Sequence, residues 1–123
     1  MKVNPKTKIV DFLAEIILKF PETKIIFDKH DEDMLTAKFE AFAELTTRKI
    51  SEGKLACAKK YLDYVSAKLK QADAIEREYI DVYYTENLFW DASENTIKTG
   101  WKLVPQNLQK LYVDFHGKTP LEK

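Results

Sequence analysis

The sequence predicts an all-α protein, a compact single-domain bundle of five to six antiparallel helices over residues 1–123. Three observations predict it. Apolar residues recur at steps of three and four along most of the chain, and no segment alternates with period two for long enough to form a strand. Hydrophobic residues make up 45% and charged residues 33%, with only 3 Gly and 4 Pro, so there is apolar matter for a core and little to break helices. The stretches between periodic segments are short, which makes sequential helices antiparallel neighbours.

The first helix is expected to open at Asn4-Pro5, a cap residue before a proline at the first helical position, and to stop at Pro21. Its stripe is Ile9, Phe12, Leu13, Ile16, Ile17 and Phe20. The patch Ile25-Ile26-Phe27 reads as one helical turn or a packed loop. A second helix near 33–51 carries Leu35, Phe39, Phe42 and Ile50, and Gly53 breaks it. The third, near 54–72, has the most regular stripe: Leu55, Ala58, Leu62, Val65 and Leu69, with lysines opposite. A fourth helix is expected at 74–91. Asp91 and Glu94, or Ser93 itself, can cap a fifth with Ile97, Trp101 and Val104. Pro105 opens a last short helix with Leu108, Leu111, Tyr112 and Phe115, ended by Gly117.

Charge bounds the function classes. Formal net charge is zero, whereas chains that live on nucleic acid carry a basic excess to neutralise phosphate. No nucleic-acid partner is expected. No apolar run approaches the roughly 20 residues that cross a bilayer, and the first twenty residues lack a signal peptide's long apolar core, so neither a membrane nor a leader is expected. One cysteine, Cys57, forbids an internal disulfide and suits a reducing, cytoplasmic setting. Within the chain the charge is segregated: net +4 over 54–72, −6 over 73–95 and +3 over 96–123. Either oppositely charged helices lie side by side, or the acidic stretch faces a basic partner. Glu78, Asp81 and Asp91 are the candidate acidic partner surface.

The stretch "IDVYYTENLFWDAS" holds the main anomaly. At about 100° per residue from Ile75, the side chains of Tyr79, Val82, Tyr83, Phe89 and Trp90 gather within about 80° either side. Glu86 falls at about 20°, inside this apolar sector, with Asn87 on its shoulder, while Thr85 lies toward solvent. A carboxylate in a core costs several kcal/mol unless it is paired or protonated. Glu86, Tyr83, Trp90 and Asn87 are therefore the candidate polar core or interface site. Glu86 either accepts hydrogen bonds from tyrosine, indole or backbone donors, or lines a cleft. Catalysis is disfavoured, because one acid without a charged or nucleophilic partner makes no mechanism.

Other constellations reduce to structure. "FDKHDED", 27–33, lacks the Gly and distal Glu of a calcium loop and reads as acidic caps ahead of a helix. Neither histidine belongs to an E-x-x-H or H-x-x-x-H set, so no metal and no cofactor are expected. His116, in a last turn before glycine, suits a helix C-terminus. Cys57 reads as a small packing residue. Trp90 and Trp101 read as core anchors where the last helices cross, or as interface hot spots.

The C-terminal half supplies a resemblance. "YIDVYYTENLFW" followed by "TGWKLVPQNLQKLYVDFHG" resembles a family of small bacterial all-helical proteins of unknown function, similar in size and style to immunity proteins of polymorphic-toxin systems. Their pattern, F-x-E-x-L…W-x-L-x-P-x-x-L-x-x-x-Y, matches at Glu86, Leu88, Trp101, Leu103, Pro105, Leu108 and Tyr112, with Tyr84 where the pattern has Phe. The resemblance covers less than half the chain. It implies a compact helical domain, no cofactor and no demonstrated enzymatic role. The resulting expectation is a protein-binding, immunity-like module acting through its surface on a protein partner such as a basic toxin domain. The alternatives are a ligand-binding or enzymatic bundle with Glu86 in an internal pocket, and a structural homodimer.

Overall fold

A computed structural model describes residues 5–122, so the cap expected at Asn4 falls outside the described residues. Seven α-helices are present among them, more than the five to six expected, and no strand. None of these helices is long and apolar enough to cross a membrane.

Helix α1 spans Pro5–Lys19 and buries Ile9, Phe12, Leu13 and Ile16, the expected stripe. A tight turn at Pro21 leads to α2, Thr23–Phe27, whose Thr23 hydroxyl donates to the Phe20 carbonyl at 2.7 Å. Of the triplet Ile25-Ile26-Phe27, only Phe27 is fully buried. The acidic residues ahead of the next helix do not cap it. Met34 occupies that position without a side-chain bond, and Asp28 pairs with Lys24 at 2.5 Å.

Helix α3, Leu35–Ser51, is the central element; it touches α2, α4, α6 and the segment after α5. Phe42 lies at its middle, with Tyr61 and Tyr84 at ring-centroid distances of 5.2 Å and Phe27 at 6.3 Å. Gly53 closes α3 with φ 77°: its N–H reaches the Ile50 carbonyl at 3.0 Å and the Lys54 N–H reaches that of Lys49 at 2.8 Å. These two bonds form a Schellman motif, and only glycine takes that φ without strain.

Helix α4, Leu55–Gln71, buries Ala58, Leu62, Val65 and Leu69 as its spacing requires. It also sends two tyrosine hydroxyls to carboxylates: Tyr61 to Glu22 at 2.5 Å and Tyr64 to Glu15 at 2.8 Å. Ser66 and Asn107 exchange bonds between α4 and the last helix.

The expected fourth helix, 74–91, is not one helix. Helix α5, Ala74–Glu78, opens with a full capping box in which Asp73 and Glu76 serve each other's backbone N–H. A π-helical segment follows at Tyr79–Tyr84, then one 3₁₀ turn at Thr85–Asn87, then a turn. The ordinary helical wheel fails here. A π-helix bonds i to i+5, so residues four to five apart share a line. The buried residues keep that step: Ile80, then Tyr84 and Thr85, then Leu88 and Phe89. Thr85, read as a solvent residue although the 100° wheel sets it at about −80°, level with Tyr83 on the other side, is 0% exposed. Glu86, placed at the centre of the apolar sector, lies half-buried at its edge.

Helix α6, Glu94–Trp101, starts at Ser93, whose hydroxyl oxygen accepts the Thr96 N–H at 3.1 Å. Helix α7, Gln106–His116, begins after Pro105 and ends at Gly117, φ 76°.

Candidate functional site

The site grows from two adjacent threonines on α3. Thr46 Oγ1 lies 2.9 Å from the Phe42 carbonyl and 2.8 Å from the Tyr84 hydroxyl. Its one proton goes to the carbonyl, so Tyr84 donates to Thr46. Burial pushes the Tyr84 phenol well above its ordinary pKa, which keeps it a donor. Thr47 Oγ1 accepts the backbone N–H of Phe89 at 3.0 Å. Asn87 donates its amide to the carbonyls of Val82 at 3.3 Å and Tyr83 at 3.0 Å. That satisfies carbonyls left over where the π segment stops.

These bonds hold Phe89 at φ 65°, in the left-handed region that a bulky residue rarely adopts. Its ring packs on the backbone of Gly100, where a Cβ would stand 2.6 Å from Phe89 Cε1. It meets Trp101 and Tyr112, each at a 6.3 Å centroid distance. Asp91 is also left-handed, φ 56°. With Phe89 turned inward, Trp90 projects outward and is 82% exposed. It is not a core anchor; Trp101 is the indole that packs.

Between the outward row of α3 and this turn lies an open cleft of about 670 Å³. Glu40, Glu44, Arg48 and Ser51 form its α3 side, and Asn87, Trp90 and Asp91 lie on the turn side. The α3 residues fall at i, i+4, i+8 and i+11, one face of a helix. Among the described residues none of Glu40, Glu44, Asp91 or Arg48 forms an ion pair. Lysine–carboxylate pairs at i, i+4 elsewhere do close, Lys59–Asp63 at 2.6 Å and Lys110–Asp114 at 3.0 Å. The cleft thus presents three carboxylates, one guanidinium and an exposed indole to whatever enters.

Of the residues singled out from the sequence, Asn87, Trp90 and Asp91 meet in this cleft, while Glu86, Tyr83, Glu78 and Asp81 do not line it. Glu78 is exposed. Tyr83 packs beside Tyr79 with centroids 5.0 Å apart. Partial burial pushes the Glu86 carboxyl above its usual range, and Asp81 adds to the push while His116 opposes it. Asp81 is raised too, first by burial, with Asp114 adding and Arg77 opposing. His116 does more than end a helix: it stacks on Tyr112 at 4.0 Å, and its Nε2 lies 3.2 Å from the Glu86 carbonyl. Glu40, Glu44 and Arg48 were not singled out from the sequence. Their signal was a charged row at i, i+4, i+8 on a helix whose other faces bury. Among the described residues no group of three or more His, Cys, Asp or Glu side chains converges to hold a metal ion.

An all-helical chain with an aromatic, acid-lined surface cleft is the class that fold and site define. A family model, the domain of unknown function DUF7674, matches residues 13–117, and the chain belongs to that family. No curated protein and no solved structure matches the chain.

Proposed function

We propose that this chain is a protein-binding module, immunity-like in style and cytoplasmic, which engages a basic segment of a partner protein such as a toxin domain through the Trp90 cleft, without catalysis. The observation that carries the reading is Trp90 itself. A large indole is held in solvent by two left-handed residues, Phe89 and Asp91, beside unpaired carboxylates. Backbone strain of this kind persists only where surrounding structure enforces it, and it clusters at functional sites. Tryptophan is enriched among binding hot spots, and complementary charge steers a partner to it. Binding suits the groups better than turnover does. Among the described residues no histidine or cysteine lines the cleft, and its serines are engaged, Ser51 with the Arg48 carbonyl and Ser93 with Thr96.

The test is calorimetric titration of the full chain with a short lysine–glycine peptide at low and moderate salt. Saturable binding that weakens with salt is expected, with Trp90→Ala raising Kd about tenfold. Binding unchanged by Trp90→Ala, or none at all, overturns the reading.

A further inference from the structure

We propose that the cleft reads arginine in preference to lysine, taking a partner's guanidinium between the Trp90 indole and the carboxylates of Glu40 and Glu44. This rests on the reading above that the cleft binds a basic segment. Glu40 and Glu44 stand one turn apart on α3, at the i, i+4 spacing that puts Cβ atoms about 5–6 Å apart. Both line the cleft, and neither is committed to an ion pair among the described residues. A lysine ammonium is a compact point charge that satisfies one such carboxylate at a time. A guanidinium is a planar fork with five donors, wide enough to address both.

The indole adds the second selection. Trp90 shares the cleft with both glutamates and is 82% exposed, so a ring face is open to a ligand. Arginine stacks flat on an aromatic face while its edge N–H groups stay free for in-plane hydrogen bonds. An ammonium over the same ring points its donors in three directions and loses part of its hydration to do so. Flat stacking and edge-on bonding are compatible only for the guanidinium. Among the described residues Arg48, one turn beyond Glu44 on the same row, remains outside any ion pair although i, i+4 spacing to Glu44 would allow one. The glutamates are thus available to an incoming cation rather than neutralised from within.

The experiment titrates the full chain with two peptides of equal charge, (Gly-Arg)4 and (Gly-Lys)4, at one ionic strength. It is repeated for Trp90→Ala and for the double variant Glu40→Gln/Glu44→Gln. All these side chains are exposed, and circular dichroism checks that each variant is folded. The expected result is a wild-type Kd about threefold or more lower for the arginine peptide. That ratio should fall to about one in either variant. Equal affinities, or a preference that survives loss of Trp90, overturn the proposal. If both peptides bind equally and depend on Trp90, the arginine preference alone is wrong. If neither binds, the basic-segment reading falls with it.

Discussion

Thr85 sits with its hydroxyl fully buried and without a hydrogen-bond partner among the described residues. A buried hydroxyl with no partner costs about 1–3 kcal/mol, so Thr85→Val, which keeps the shape and removes the polar atom, should raise stability by about 1 kcal/mol in urea unfolding. A neutral result would mean that Thr85 faces solvent. Glu86 gives the complementary prediction. Its carboxyl pKa is raised in the fold, first by partial burial. A raised acid costs stability when ionised, above its folded pKa, and nothing below its unfolded pKa. Glu86→Gln should therefore stabilise slightly at neutral pH, by roughly a few tenths of a kcal/mol, with the gain fading as pH falls through the carboxylate range. A loss of stability at pH 7 would show that the ionised carboxylate supports the fold. The sequence reading sets Glu86 on the packed face and Thr85 in solvent; the π segment ahead of them changes the register, and Thr85 is the buried one.

Most helices were legible because each has a long apolar stripe and a local stop. The stripes of α1 and α4, and the glycines after α3 and α7, needed nothing from the tertiary fold. The stretch 74–91 was not legible as drawn, because its apolar content fits more than one turn geometry. Asn87, which bonds the Val82 and Tyr83 carbonyls, was the local hint that the helix ends there. Gly100 belongs to the same element-level problem. A glycine inside α6 loses about 1 kcal/mol of helix propensity relative to alanine. Yet a Cβ there would stand 2.6 Å from Phe89 and 2.8 Å from Ile50 Cδ1. Gly100→Ala should therefore destabilise by about 1–3 kcal/mol despite better propensity, and it should disturb the Trp90 turn through Phe89. A rise in melting temperature would contradict this close approach.

At the scale of the molecule, charged side chains have two uses. Part of it ties elements together: Lys8 bonds Asp73 between α1 and the start of α5, and Lys68 reaches Glu15 at 3.2 Å. Burial pushes the Glu15 carboxyl up, but the Tyr64 hydroxyl and Lys68 outweigh it and hold the group below its ordinary range. A depressed carboxylate stabilises above its unfolded pKa, and this is lost as pH falls through the folded one. Glu15→Gln should cost about 0.5–1 kcal/mol at neutral pH, modest because the side chain is half exposed, and the cost should fade as pH falls through the folded pKa. A cost independent of pH would place the effect in packing instead. The rest of the charge, Glu40, Glu44 and Asp91 around the cleft, is not spent internally, and it was the part least legible in the chain. Asp91 and Trp90 lie fifty residues from Glu40 in the chain, and the Thr46–Tyr84 and Thr47–Phe89 bonds dock their turn on α3. The most direct check is the indole N–H resonance of Trp90 in the 15N-labelled chain, assigned by its loss in Trp90→Phe, as (Gly-Arg)4 is added. A saturable shift of that peak, larger than that of Trp101 and reversed by salt, is the predicted result; a Trp90 resonance that stays in place while the peptide is raised to millimolar concentration would contradict the account.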